Sequence, residues 1–254
     1  MKAVLVTGAG KRIGRAIAVA LAADGWYVFV HYNRSEGEAD DCLAEVRAVN
    51  GDGETVKADL AKADEARTLI RTCLDRGFDL ACVVNNASAF NYDFPDAVDG
   101  DVFADAMNVN LLAPMLIAES YAKAQAEKGA PGCIINMLDN KVFALNPDFY
   151  SYTLSKAGLH AATKMMAMAY APMVRACGIA PGITLISGNQ SEESFQKAHK
   201  VNLLESGCEP ADIVRAVRFI VATPAITGEV LTIDSGHSLM RLPRDVAFLG
   251  DDHD

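Results

Sequence analysis

The chain has 254 residues, 51% hydrophobic and 22% charged, which suits one large α/β domain with a well-buried core. A formal net charge of −10 excludes a nucleic-acid-binding surface, because neutralising phosphates needs a basic face. Against that acidity one basic cluster stands out at the front, Lys11, Arg12 and Arg15, with Arg34 further on.

Short apolar runs alternate with helical stretches along the chain. Strands are expected at 3–6, 27–31, 55–58, 80–84, 133–137, 178–180 and 230–233, and helices at 13–23, 38–49, 63–75, 110–126, 150–175 and 211–221. The strands are apolar without alternation, so both of their faces are buried, and a helix joins each to the next. That pattern predicts a single doubly wound Rossmann-type α/β domain over 1–254, with about seven parallel strands and helices on both faces. The rhythm fails over 90–101 and 182–210, both after strand ends, where such a sheet places its binding crevice.

Six scattered cysteines (Cys42, Cys73, Cys82, Cys133, Cys177 and Cys208) form no CxxC pair. No secretory signal is recognisable, so reduced thiols in a cytoplasmic protein are expected. No apolar run approaches the length of a membrane span, and neither membrane nor nucleic acid is expected as a partner. The five histidines show no metal-ligand spacing, so no metal is expected. The methionines Met165, Met166, Met168 and Met173 read as helix packing or a subunit interface. The acidic tail 251–254 reads as a solvated end.

Thr7-Gly8-Ala9-Gly10-Lys11-Arg12-Ile13-Gly14 follows the first strand and opens the first helix. Glycines there let backbone approach a pyrophosphate, and the helix N-terminus supplies free N–H groups and positive dipole. The second strand ends in His31-Tyr32-Asn33-Arg34-Ser35, where an NAD-binding unit carries a carboxylate for the ribose 2′-hydroxyl. A cation with hydroxyl and amide groups suits a 2′-phosphate instead, so NADP(H) is the expected cofactor, although Arg34 also reads as an exposed turn arginine. Asp59 after the third strand suits an adenine edge or a helix N-cap. Asn85-Asn86-Ala87 after the fourth brings amide groups beside the cofactor.

Tyr152 and Lys156 lie four apart on a predicted helix, which puts phenol and ammonium on one face. A nearby ammonium favours phenolate, so the tyrosine pKa is expected to fall toward a useful range. With the glycine turn, Asn-Asn-Ala and the closing Ile233-Asp234-Ser235-Gly236 in order, the whole chain resembles the short-chain dehydrogenase/reductase family. The resemblance implies that Tyr152 and Lys156 are catalytic and also touch the cofactor. It implies that Asn110 holds a water linking Lys156 to solvent, and that Pro181-Gly182 lies near the nicotinamide. It further assigns Ile13, Leu60 and Thr184 to the cofactor, and suggests a homotetramer through the helices 110–126 and 150–175.

Two departures point to one branch. Arg12 stands where the family's turn has its middle glycine, and Asp139 where the family has a serine after the fifth strand. Together with His31-Tyr32, Arg34-Ser35 and Asn86-Ala87-Ser88-Ala89-Phe90, they are similar to pteridine reductases and to dihydromonapterin or dihydrofolate reductases of that family. An ionised Asp139 opposes the charge that develops in carbonyl reduction, whereas reducing a C=N bond needs a proton at nitrogen. A carboxylate also accepts hydrogen bonds from a pterin amino group and ring N–H. Phe90 then stacks one face of a flat heterocycle against the nicotinamide, Arg12 reaches cofactor phosphates and pterin edge, and Ser88 joins the pocket. Phe90 as loop packing and Asp139 as a cap are the plainer alternatives. The expected function is NADPH-dependent reduction of a pterin or folate-like ring. A carbonyl reductase and a non-catalytic NADPH sensor are the competing readings. The segment 183–209 is expected to shape the substrate pocket.

Overall fold

The computed structural model describes residues 1–186 and 191–248. Residues 187–190 of the 183–209 segment and the 251–254 tail lie outside these described residues. Seven strands form one sheet: β1 (Lys2–Val6), β2 (Tyr27–Tyr32), β3 (Asp52–Lys57), β4 (Asp79–Asn85), β5 (Gly132–Met137), β6 (Val174–Pro181) and β7 (Val230–Ile233). Their order is β3-β2-β1-β4-β5-β6-β7 and every pairing is parallel. Parallel neighbours need crossovers, supplied by α1 (Arg12–Ala23), α2 (Glu36–Ala48), α3 (Ala63–Leu74), α4 (Gly100–Met107), α5 (Ala113–Lys128), α6 (Tyr150–Tyr170), α7 (Glu192–His199) and α8 (Pro210–Ala222). The doubly wound sheet read from the sequence is the fold. Chain direction across the sheet reverses between β1 and β4, which opens a crevice at their carboxyl ends.

Successive strand residues point to opposite faces, so each strand feeds two cores. Val4, Val6, Val28 and Val30 pack against Ile17 and Leu21 of α1 and Ile213 and Val217 of α8. Ala3, Leu5 and Phe29 pack against Leu69 and Ile70 of α3 and Ile117 and Tyr121 of α5. Burying both faces accounts for the unalternating strands.

The structure corrects several element boundaries. The helix expected over 150–175 ends at Tyr170, because Pro172 forces Ala171 out of the helical region, to ψ 149°. Arg175 therefore belongs to β6, and its guanidinium donates to the carbonyls of Ile220 (2.6 Å) and Ile226 (3.2 Å). The helix expected from residue 110 begins at Gly100, where the Asp99 carboxylate accepts from the N–H groups of Asp101 and Val102. It continues through a π-turn, Asn108–Leu112, into α5. This run, Gly100–Lys128, is long and apolar enough to cross a membrane by length and composition, which corrects the expectation that none was. Its apolarity has a simpler cause, since Ala113, Leu116, Ile117 and Tyr121 are core residues. Helix α7, capped by Ser191, lies inside the 182–210 stretch where none was foreseen.

Candidate active site

A cleft of about 1510 Å³ lies at the carboxyl ends of the central strands. Its floor at one end is the turn between β1 and α1. Gly8 has φ +62°, and a Cβ there would stand 2.9 Å from the Ala87 Cα. At Gly14 a Cβ would meet Asn86 Nδ2 at 2.5 Å and the Gly8 carbonyl at 2.6 Å. Thr7 Oγ1 accepts from the N–H groups of Asn86 and Ala87, both at 2.9 Å, and Asn86 Nδ2 donates to the Thr7 carbonyl at 2.8 Å. The glycine turn and the Asn86-Ala87 turn are thus one welded unit. Helix α1 starts at Lys11 without a side-chain cap, leaving its first N–H groups for an external acceptor. That is the cradle a pyrophosphate needs.

Arg12 sits at φ 55°, the left-handed region that glycine enters freely and other residues enter at about 1–2 kcal/mol. Its guanidinium donates to the carbonyls of Leu185 (3.3 Å) and Ile186, so the side chain bridges the cleft from the turn to the segment after β6. Ile13 lines the same wall, and Lys11 pairs with Glu38 of α2. Beyond β2, Tyr32 donates to Glu36 (3.1 Å) and Asn33 to Asp59 (3.1 Å). Asp59 is no helix cap, since α3 is capped at Lys62; it accepts from Asn33 and from the Ala61 N–H (3.1 Å). Arg34 is exposed on this wall beside Ser35, whose hydroxyl does not cap α2, and Leu60 lies close by.

Sequence reasoning used His31 only as part of the segment that ends the second strand and gave it no role of its own. It is 1% exposed; its Nδ1 accepts from the Gly8 N–H (3.0 Å) and its Nε2–H donates to the Ala58 carbonyl (3.1 Å). Burial pushes its pKa down from 6.5 to about 4. The folded state therefore binds fewer protons than the unfolded chain. Its contribution is complete above pH 6.5 and is lost as pH falls toward 4, by roughly 3 kcal/mol at the acid end. Protonation also turns the Gly8 acceptor into a donor. Thermal melts from pH 8 to 4 are expected to drop within this window, and His31→Gln, which keeps an acceptor and a donor, is expected to flatten that drop.

At the other end Tyr152 donates its hydroxyl to Asp139 Oδ2 at 2.7 Å. Asp139 Oδ1 accepts from the Lys141 N–H (2.9 Å), capping the short 3-10 turn after β5, so the capping reading holds, and the same residue lines the cleft. Lys156 is 3% exposed and its ammonium donates to the Met137 carbonyl (2.8 Å), 5.7 Å from the Tyr152 ring centre. Burial lowers the Lys156 pKa to about 8. The Tyr152 pKa moves the opposite way from expectation, well above its ordinary value, because the ring is buried and faces the Asp139 carboxylate. Burial raises Asp139 as well, against the pull of its hydrogen bonds to Lys141 and Tyr152. Both groups are thus shifted toward their protonated forms, the opposite of the phenolate expected at Tyr152.

Asn110, at the π-turn, is fully buried and is not among the residues lining the cleft. Its amide donates to the Ala89 carbonyl (2.9 Å) and Ser155 Oγ (3.0 Å), and accepts from the Ala89 N–H (2.7 Å). The Asn110 side chain clamps the loop that carries Ser88 and Phe90. Both of those residues face the cleft, Phe90 43% exposed, as do Pro181, Gly182 and Thr184.

Phe90 also stacks on Phe149 (4.4 Å, 18°) and meets Tyr152 edge-on (4.7 Å). Phe149, at φ 53° just before α6, was missed, as was Asp93, which accepts from the Ser151 N–H (2.9 Å) and hydroxyl and so ties the Phe90 loop to α6. The residues 244–248, which bring Asp245 and Phe248 to the cleft, were also unforeseen. A phenylalanine three positions before Tyr152 was the one available signal.

The family described as short chain dehydrogenase matches residues 2–197. Among solved structures, the chain is similar to FolM Alternative dihydrofolate reductase 1 from Brucella canis, complexed with NADP. The TM-score is 0.89 and identity 37%, over 96% of each chain. The Brucella suis protein of the same name, also with NADP, gives 0.89 and 37% over 94% of this chain and 96% of that one. Among curated relatives, the 3-oxoacyl-[acyl-carrier-protein] reductase of a Synechocystis strain is 31% identical over 91% of this chain and 95% of its own. Pteridine reductase 1 of Leishmania tarentolae is 28% identical over 93% and 96%.

Proposed function

Since the chain belongs to the short-chain dehydrogenase family and is an oxidoreductase of NADP(H) type, we propose that it reduces a ring C=N of a pterin or dihydrofolate-like substrate. The observation that carries this reading is the Tyr152 hydroxyl on the Asp139 carboxylate, 2.7 Å apart and both held toward protonation. Such a pair gives a proton to a ring nitrogen, and Asp139 accepts from an amino group and ring N–H. The NADP-bound Brucella proteins support the same reading.

Gly8, Gly14, Asn86 and Ala87 form the cradle for the pyrophosphate, Arg34 and Ser35 face the 2′-phosphate, and Asp59 the adenine. NADPH bound there supplies the hydride. Phe90 offers its ring to the flat substrate, Arg12 holds the segment after β6 over it, and Lys156 fixes the Met137 carbonyl at the end of β5. Asn110 acts by fixing the Phe90 loop.

The six described thiols are free and buried, which supports a cytoplasmic site. Exposed Met115 (42%), Met165 (67%) and Met168 (80%) on α5 and α6 support assembly through those helices, as in a homotetramer.

The Synechocystis relative favours a second reading, reduction of a β-ketoacyl carbonyl. NADPH consumption separates them. Dihydrofolate, dihydrobiopterin and dihydromonapterin are expected to be turned over, and Asp139→Ser to lower that turnover by about 10²-fold. Background rates with all three, alongside turnover of a ketone that Asp139→Ser improves, would sink the pterin reading.

A further inference from the structure

Lys141, 7% exposed, forms an ion pair with Asp245 at 3.0 Å, across 104 positions of the chain. The same Lys141 gives its backbone N–H to Asp139 Oδ1 (2.9 Å), so one residue both holds the proton-donating carboxylate and carries a buried charge beside it. Its ammonium lies 5.2 Å over the Phe149 ring. We propose that Lys141 and Asp245 are positioning residues for the proton donor, whose opposite charges set the pH at which Asp139 and Tyr152 give up their shared proton.

The pair is held too firmly to be an incidental surface contact. Arg244 forks onto fully buried Asp148, its Nε 3.0 and 2.9 Å and its Nη2 2.7 Å from the carboxylate oxygens. The Asp245 N–H donates to the same carboxylate at 2.7 Å. That fork anchors the segment already, and burying a second ion pair gives little net stability, so Lys141 with Asp245 is not needed as a fastener.

Charged and titratable groups around the donor come from several elements, with Arg12, Asp105 and His237 elsewhere along the same cleft. Helix α6 contributes Lys156, the turn after β5 contributes Lys141, and the 244–248 segment contributes Asp245 and Arg244. Asp148 comes from the stretch before α6 and Tyr92, 3.3 Å from Asp148, from the loop after β4. Burial does most to raise both Asp139 and Tyr152, and among these groups Asp245 is the anion that adds to it. Lys141 is the cation paired with that anion, at 3.0 Å.

This inference rests on the reading that Asp139 and Tyr152 donate the proton. The test is kcat against pH for the NADPH-dependent reduction, in wild type, Asp245→Asn, Lys141→Met and Asp139→Asn. An acid donor loses activity above its apparent pKa. Asp245→Asn is expected to move that basic limb to lower pH by about half a pH unit or more, and Lys141→Met to move it higher. NADPH affinity is expected to hold in both, and Asp245→Glu to restore the wild-type limb. Two limbs that superimpose on wild type, or that move in the same direction as general damage would move them, overturn the proposal. A wild-type limb that survives Asp139→Asn overturns the donor assignment itself, and this inference with it.

Discussion

Tyr152→Phe is expected to lower kcat by roughly 10²–10⁴-fold while leaving NADPH binding within a few-fold of wild type. Among the described residues, the phenol is the one hydroxyl hydrogen-bonded to the Asp139 carboxylate, at 2.7 Å. Removing it leaves the ring packing against Phe90 intact, so the pocket keeps its shape. It also removes one of the hydrogen bonds that hold the Asp139 pKa down, so the carboxyl rises further. The residual rate is then expected to carry the pH dependence of Asp139 alone, with its basic limb displaced from wild type. Stopped-flow NADPH oxidation with a dihydropterin across pH checks both the size and the limb. A fall below tenfold would show that Asp139 delivers the proton without the tyrosine.

Gly14→Ala is expected to weaken NADPH binding by about 10²-fold and to cost about 1–3 kcal/mol of stability. The new methyl would lie 2.6 Å from the Gly8 carbonyl and 2.5 Å from Asn86 Nδ2. The first of these is backbone, and Asn86 cannot swing away without releasing the Thr7 carbonyl. The turn must therefore open just where it approaches a pyrophosphate. Gly37→Ala in α2 is the control, since nothing lies within 4 Å of the added methyl, and it is expected to raise stability by about 0.5–1 kcal/mol. Titration calorimetry with NADPH and thermal melts of both variants separate a blocked cradle from a general intolerance of alanine.

What the sequence made legible follows from how local each signal is. A buried parallel strand is written in a few consecutive residues, and the glycine turn, Asn86-Ala87, and the Tyr152 to Lys156 spacing lie within single turns of chain. The sheet and the cofactor wall were readable for that reason. The 150–175 helix was overrun because its apolar pattern passes smoothly into β6, and Pro172 was the only mark between them. The tyrosine pKa was misjudged because spacing along a helix fixes where side chains start and not where their ends go. Lys156 turns to the Met137 carbonyl, and Asp139 supplies the dominant charge. Asp148, Arg244 and Asp245 were invisible since their partners lie up to 104 positions away, with no periodicity to announce them. At Asn110 the family position marked the residue, and the fold adds that its amide serves the Ala89 backbone.

The fork of Arg244 on Asp148 has a consequence for how the protein comes into being on the ribosome. The turns that cradle the cofactor are complete once the first 87 residues and their sheet neighbours have emerged, whereas the wall facing the substrate waits for residues 244–248. A domain generally folds as a unit, so it cannot be completed before its last segment has left the ribosome. A nascent chain cut short ahead of Arg244 would thus lack the partners that Asp148 and Lys141 find in Arg244 and Asp245, and its substrate wall would stay unfinished.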